Sequence, residues 1–256
     1  MNSLKNISYS SLANSDEIED NDNNFDDFFT FKFPKGLKIV CINIRSLMKH
    51  KNQIEVILTQ RKIDIFCCVE TWLTAVITDF ELQINGYRFF RLDRSCRRGG
   101  GVIIYTRINE KIEYELVNDF QKTIEMIMIS VKQYKAKPFI IGCVYRPPNP
   151  SADLDKEFIG FIENYTEGEV ILIGDFNEDN NSSNFTKLMS NLGLSQEITE
   201  PTRIANDSST LIDHVYCNIK ANKSGSGVLP LEIADHKGIF FCRILNFLSK
   251  SKTNWK

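Results

Sequence analysis

Apolar positions in this chain fall into short, dense runs separated by polar and glycine-rich stretches. LKIVCINI, starting at Leu37, and IDIFCCV (63–69) are apolar at nearly every position and rich in β-branched residues, which predicts strands buried on both faces. RFFRL, VIIYT after three glycines, IEMIMISV (124–131), FIIGCVY (139–145), EVILIG (169–174), IDHVYC and IFFCRIL continue the series. Pro147 and Pro148 stop the run before them, because proline has no N–H to give a ladder. Elsewhere the spacing turns helical. Ser46 reads as an N-cap, followed by Ile54, Ile57, Leu58 and Arg61 on one side. Over 153–165, Leu154, Phe158, Phe161, Ile162 and Tyr165 share a face. NFTKLMSNLG ends a further helix at Gly193.

Strands outnumber helices and come both as consecutive runs and as strand–helix–strand units. That pattern predicts two sheets packed on each other with helices outside, a layered α/β sandwich forming one domain over 35–248. SGSG (224–227) reads as a flexible turn inside it. Residues 1–34, rich in Asn, Ser and Asp, read as a disordered leader, and 249–256 as a short basic tail. With 256 residues, 42% hydrophobic and 25% charged, the chain has material for a large core and is neither a collagen nor a membrane bundle. The net charge of −2 hides an asymmetry. The leader holds two lysines and seven acids, leaving 29 basic and 26 acidic residues in the rest. A mildly basic body permits nucleic-acid binding without requiring it. Seven cysteines, an odd number with no CxxC, read as buried thiols in a reducing, intracellular setting. No stretch approaches a membrane span, so no membrane partner is expected.

The informative polar residues stand at strand exits. Asn43 ends the first run and Glu70 follows the second; FIIGCVY ends in Tyr145; EVILIG delivers Asp175 and Asn177; LIDHVY carries Asp213; Asp235 and His236 precede the last run. Singly, each reads as a solvated strand end, a turn former or a satisfied core histidine, and it is their recurrence that carries weight. Clustered carboxylates repel and call for a cation or for protons. Oxygen donors suit Mg²⁺ or Mn²⁺. Together with a histidine held by an aspartate, the set fits metal-assisted attack of water on a phosphate ester. Arg91, Arg94, Arg97 and Arg98 form a basic cluster before Gly99–Gly101, readable equally as a solvated loop or as contacts to DNA phosphates. His214 and Cys217 are spaced like zinc ligands but lack a second pair, so core packing is the expectation.

In order, CINIRSL, VETWL, RRGGGVIIYTR, VYRPPNP, ILIGDFN, TLIDHVYCN and ADHKGIFF resemble the endonuclease/exonuclease/phosphatase superfamily, over about Leu37 to Leu248. More narrowly they resemble the apurinic-endonuclease-like domain of non-LTR (LINE-type) retrotransposons. The resemblance implies a four-layered, DNase I-like α/β sandwich of two mixed sheets. It implies Glu70 as principal Mg²⁺ ligand (Mn²⁺ as the substitute) with Asp235 assisting, and Asn43 beside the metal. It assigns Asp175 to the attacking water, Asn177 and Tyr145 to the scissile phosphate, and His236 to the pentacovalent state, oriented by Asp213. Within the basic cluster, Arg94, Arg97 and Arg98 are the candidate DNA contacts. Two departures stand out: Arg45 occupies the place of an aspartate found in the repair enzymes, and Ala234 replaces a serine. The implied activity is Mg²⁺-dependent DNA cleavage to 3′-hydroxyl and 5′-phosphate ends by a monomer acting in the nucleus. A reverse transcriptase would normally follow on the same polypeptide. Two other readings stand beside it: a phosphatase or phosphodiesterase acting on lipid, inositol phosphate or RNA, and a folded but inactive retroelement relic.

Overall fold

The computed structural model describes residues 21–94, 99–121, 124–179, 184–205 and 208–245. Among these the helices are α1 (Asn21–Thr30), α2 (Leu47–Arg61), α3 (Asp79–Leu82), α4 (Ala152–Glu163) and α5 (Asn184–Asn191). The strands are β1 (Leu37–Asn43), β2 (Ile65–Val69), β3 (Tyr87–Leu92), β4 (Val102–Arg107), β5 (Ile112–Gln121), β6 (Glu125–Gln133) and β7 (Phe139–Tyr145). They continue with β8 (Val170–Asp175), β9 (Ser195–Gln196), β10 (Arg203–Ala205), β11 (Ser208–Thr210), β12 (Asp213–Cys217), β13 (Lys223–Glu232) and β14 (Lys237–Arg243).

Two six-stranded mixed sheets result. The first runs β13-β14-β1-β2-β4-β3 and the second β5-β6-β7-β8-β12-β9. The parallel pairs are β1/β2, crossed by α2, and β7/β8, crossed by α4; the long crossover that a parallel pair needs is in both cases a helix. Side-chain alternation then builds three apolar clusters. Ile39, Cys41, Ile65, Cys67, Ile141, Cys143, Ile171 and Ile173 fill the space between the sheets. Val40, Ile42, Phe66 and Cys68 face outward to α1 and α2. Met126, Val144, Leu172 and Tyr216 face α4 and α5 on the other side. The four-layered sandwich expected from the sequence is therefore the fold. No helix among the described residues is long and apolar enough to cross a membrane.

Three local expectations are corrected. The leader is not disordered throughout, since residues 21–34 include α1, and Phe28 is fully buried against the first sheet's outer core. Phe25, Phe29, Phe31 and Phe33 pack around it, and the Arg61 guanidinium lies 5.1 Å above its ring while bonding the Phe29 and Phe31 carbonyls. Five phenylalanines in nine residues supply the apolar area that the acids around them obscure. Ser46 does not cap α2 with its hydroxyl. Its backbone N–H instead donates to the Glu70 carbonyl (2.9 Å) and that of Leu47 to the Thr71 carbonyl (2.9 Å), so the loop after β2 satisfies the helix start. SGSG is not a turn but the first half of edge strand β13, paired with β14 through a register shift. There Gly225 lies against Pro34, where a Cβ would come within 2.8 Å of its ring. His214 and Cys217 pack in the core, as expected. The His214 ring bonds the Tyr216 hydroxyl (3.0 Å) and the Leu211 carbonyl (3.0 Å), and Cys217 is a buried free thiol like the other described cysteines. Cys96, Arg97, Arg98 and the tail 249–256 lie outside the described residues.

Candidate active site

Strand parity decides which polar residues meet. In β1 the residues facing the other sheet are Leu37, Ile39 and Cys41, so Asn43 continues that face. By the same count of two, Tyr145 follows Cys143 in β7, Asp175 follows Ile173 in β8, and Asp213 precedes Val215 in β12. Register aligns them. Across the second sheet, Glu125 pairs with Tyr145, Tyr145 with Asp175, and Asp175 with Asp213. One row of four polar side chains thus closes one end of the inter-sheet core. The first sheet adds Asn43, Glu70, Asp235 and His236 from the strand ends opposite.

The two sheets are joined at this end by hydrogen bonds. The Asn43 Nδ2 donates to Glu70 Oε1 (3.2 Å) and to Asp175 Oδ2 (2.9 Å). Asp175 Oδ1 accepts the Asn177 backbone N–H at 2.9 Å. His236 and Asp213 meet through Nδ1 and Oδ2 at 2.8 Å, both buried. One ligand atom each of Asp175, Asp213 and His236 lies within 4.8 Å of the others. Thr202 secures this corner: its Oγ1 accepts from the Ile212 and Asp213 N–H groups (3.2 and 3.0 Å), and its carbonyl accepts from Lys237 N (2.7 Å).

Burial and crowding set the protonation. Burial, then the neighbouring Asp213 charge, push the Asp175 carboxyl up from 3.8 to about 7, against the opposing pull of His236 and two hydrogen bonds. His236 suffers a larger single effect from burial, which lowers it. The Asp213 charge and hydrogen bond, with Asp175 and Asp235 behind, outweigh that and hold it at about 8. Burial, followed by the Glu70 and Asp175 charges, raises the Tyr145 phenol, which stays protonated at neutral pH.

The structure therefore gathers Asn43, Glu70, Tyr145, Asp175, Asp213 and His236. Asn177 stands beside them in a left-handed conformation (φ 48°), its Nδ2 given to the Arg146 carbonyl at 2.9 Å. Asp235 is placed differently from a free metal ligand. Its Oδ1 lies 3.0 Å from Arg45 Nε and its Oδ2 3.0 Å from Arg203 Nε. Arg45, at the departure from the repair-enzyme pattern, brings a cation where a carboxylate was missing. Arg94 is not a surface cation: its guanidinium pairs with buried Glu125 and lies 5.4 Å from the centre of the Tyr145 ring. Thr202, Arg203, Trp72 and Glu125 were not read from the sequence as site residues. Arg45 was marked there as a departure, two residues after Asn43, without its partner Asp235.

A divalent cation fits this donor set. Two carboxylates, Glu70 and Asp175, share the N–H group of one amide, and a third carboxylate and a histidine stand beside them. Repulsion among them is what an oxygen-preferring cation relieves.

The family described as endonuclease/exonuclease/phosphatase matches residues 41–236. Among solved structures, an AP endonuclease from Leishmania major aligns with a TM-score of 0.68 at 11% identity, covering 82% of this chain and 88% of that one. The endonuclease domain of TRAS1, a telomere-specific non-LTR retrotransposon, aligns at 0.64 and 15% identity, covering 82% and 99%. A mannosyl-6-phosphatase of Bacteroides thetaiotaomicron aligns at 0.62 and 15%, covering 82% and 100%. No curated protein sequence matches. Spanning every side chain from Cys41 to His236 that the row of strand ends brings together, the match establishes that this chain belongs to the endonuclease/exonuclease/phosphatase family.

Proposed function

We propose that the chain is a Mg²⁺-dependent DNA endonuclease of the apurinic-endonuclease-like retroelement kind, with Mn²⁺ able to substitute. The observation that supports this most is the buried Asp213–His236 pair set against Asp175, an acid poised near neutrality beside a protonated histidine. Asp175 accepts the proton of a water that attacks phosphorus. As the new P–O bond forms, charge gathers on the non-bridging oxygens. His236, kept protonated and oriented by Asp213, donates to one of them. The Tyr145 hydroxyl and the Asn177 amide hold the remaining phosphate edge. Bond breaking at P–O3′ leaves a 3′-hydroxyl, once the alkoxide takes a proton from solvent, and a 5′-phosphate. Glu70, seated across Asn43 from Asp175, would hold the ion, and Asp235 would join it only by releasing a guanidinium. That ion, when bound, neutralises charge on the phosphoryl and leaving oxygens.

On this reading the partner is DNA, the protein works as a monomer in the nucleus, and its 3′ ends serve as primers for a reverse transcriptase. The TRAS1 likeness supports the retroelement kind, and Asn43, Glu70, Tyr145, Asp175, Asp213 and His236 standing together argues against a decayed relic. The test is nicking of supercoiled plasmid with Mg²⁺ and with EDTA, beside hydrolysis of a sugar phosphate and an inositol phosphate. Mg²⁺-dependent nicking that Asp175→Ala lowers at least about a hundredfold is the expected result, given the usual weight of such groups. Turnover of the small esters without nicking would make the chain a phosphatase, and no turnover of any substrate would make it inactive.

A further inference from the structure

Glu70 stands on a backbone segment bent into a conformation that side-chain-bearing residues rarely adopt. Both Glu70 (φ 53°) and Trp72 (φ 54°) are left-handed. The segment is held from two sides. On one, Glu70 and Thr71 carbonyls accept from the start of α2. On the other, Thr71 N and Trp72 N donate to the Gly101 and Gly100 carbonyls (3.2 and 2.9 Å). The glycine run is itself left-handed at Gly99, Gly100 and Gly101, and it is fixed from behind by Arg94 and Glu125. A Cβ on Gly100 would fall 2.3 Å from Arg94 Cζ. Glu125 accepts from Arg94 Nε with one oxygen and from the Gly101 N–H with the other (2.5 Å).

This ion pair is buried, with side-chain exposures of 9% for Arg94 and 2% for Glu125. Removing two charges from water is costly, and apolar residues of similar volume often serve a fold as well. Stability alone therefore does not account for it. The guanidinium also has a direction. It lies over the Tyr145 ring, whose hydroxyl interacts with Glu70, and its Nη2 has no hydrogen-bond partner among the described residues. Glu125 itself is the cross-strand neighbour of Tyr145.

We propose that Arg94 is a positioning residue: clamped by Glu125, it fixes both the glycine run that carries Glu70 and the ring of Tyr145. It acts from within the wall of the site and not as a contact to DNA. The consequence for catalysis rests on the reading of Glu70 and Tyr145 given above.

The test uses the full chain carrying Trp255→Phe, which leaves Trp72 as the remaining indole of two. Trp72 Nε1 donates to Glu70 Oε2 at 3.2 Å, so its emission reports the surroundings of Glu70 during a Mg²⁺ or Mn²⁺ titration without substrate. In Arg94→Met the titration midpoint rises at least about fivefold and kcat for nicking falls at least about tenfold, while KM and its salt dependence stay within about twofold. Glu125→Gln gives the same pattern, and the double variant is no worse than the worse single, as expected for one unit. Arg94→Lys, which keeps a charge for Glu125, recovers most of the titration; it and Glu125→Gln carry the test should Arg94→Met fail to fold. An unchanged kcat with a raised KM and a salt slope lowered by about 1 would make Arg94 a phosphate contact and overturn the proposal. So would an unchanged Trp72 midpoint in every variant. Should the wild type cleave nothing, the functional reading fails by itself, and the Trp72 titration still decides the placement of Glu70.

Discussion

Asp175 is expected to cost the fold stability, and Asp175→Asn to return part of it. Its carboxyl titrates at about 7 in the folded chain against 3.8 in the unfolded one. A folded-state value above the unfolded one means the native state holds the proton more tightly. The penalty is therefore absent below about pH 4, grows between pH 4 and 7, and is complete above. A shift of about three units corresponds to about 4 kcal/mol at 1.36 kcal/mol per unit. An amide carries no charge but also loses an acceptor. Asn43 Nδ2 and Asn177 N donate to the two carboxylate oxygens, and one of these bonds is forfeited at a cost of about 1–2 kcal/mol. The net gain at pH 8 is about 2 kcal/mol, or a rise in Tm of about 4–8 °C for a chain of this size. Thermal melts in EDTA from pH 4 to 9 measure it. The gap between variant and wild type should open with rising pH through the window named, while nicking activity is lost at every pH. A variant destabilised by the same amount at all pH values would refute the idea that Asp175 is strained by its own charge.

Three further outcomes follow from the same structure. Asp213→Asn removes the two strongest effects raising His236 and leaves burial opposed by Asp175 and Asp235 alone, so the histidine should fall from about 8 and the alkaline limit of activity should move down with it; a pH–rate profile reads this. Gly174→Ala puts a Cβ 1.9 Å from the Val144 carbonyl oxygen, inside the β7/β8 pairing, and should cost at least about 3 kcal/mol in urea unfolding. Phe28→Ala empties a fully buried site under Arg61 and should cost about 3–5 kcal/mol, with kcat unchanged because α1 lies on the outer face of the first sheet.

The parts legible in the sequence are those where one run of residues determines the answer. Strands buried on both faces, such as β2 and β8, announce themselves as apolar runs, and their polar ends mark the site. Strand β5 (IEYELVNDFQ) is an edge strand with glutamates at alternate positions, so its apolar count is too low for the same signal. Strand β13 hides behind Gly225, Gly227 and Pro230, residues an edge strand tolerates because one side needs no ladder. Partners remote in the chain left no local trace. Nothing in TEPTRI signals that Thr202 braces Asp213, nor that Arg203 shares Asp235 with Arg45. Those contacts are made mostly by residues outside the two large sheets, brought together by the fold, which sequence spacing does not encode.

The amide of Asn43 is one of a few polar links between the two sheets, with His236–Asp213 and Glu125 to the Gly101 N–H beside it, and the space between the sheets is otherwise filled with hydrocarbon. Hydrocarbon faces slip more readily than hydrogen-bonded ladders, so the seam, pinned by few polar links, yields more easily than either sheet. Heating should first loosen the alignment of one slab over the other, separating Glu70 from Asp175 while each slab keeps its ladder. Loss of turnover should then precede loss of the circular dichroism of the strands, and a cross-link between the slabs at the far end should bring the two temperatures together.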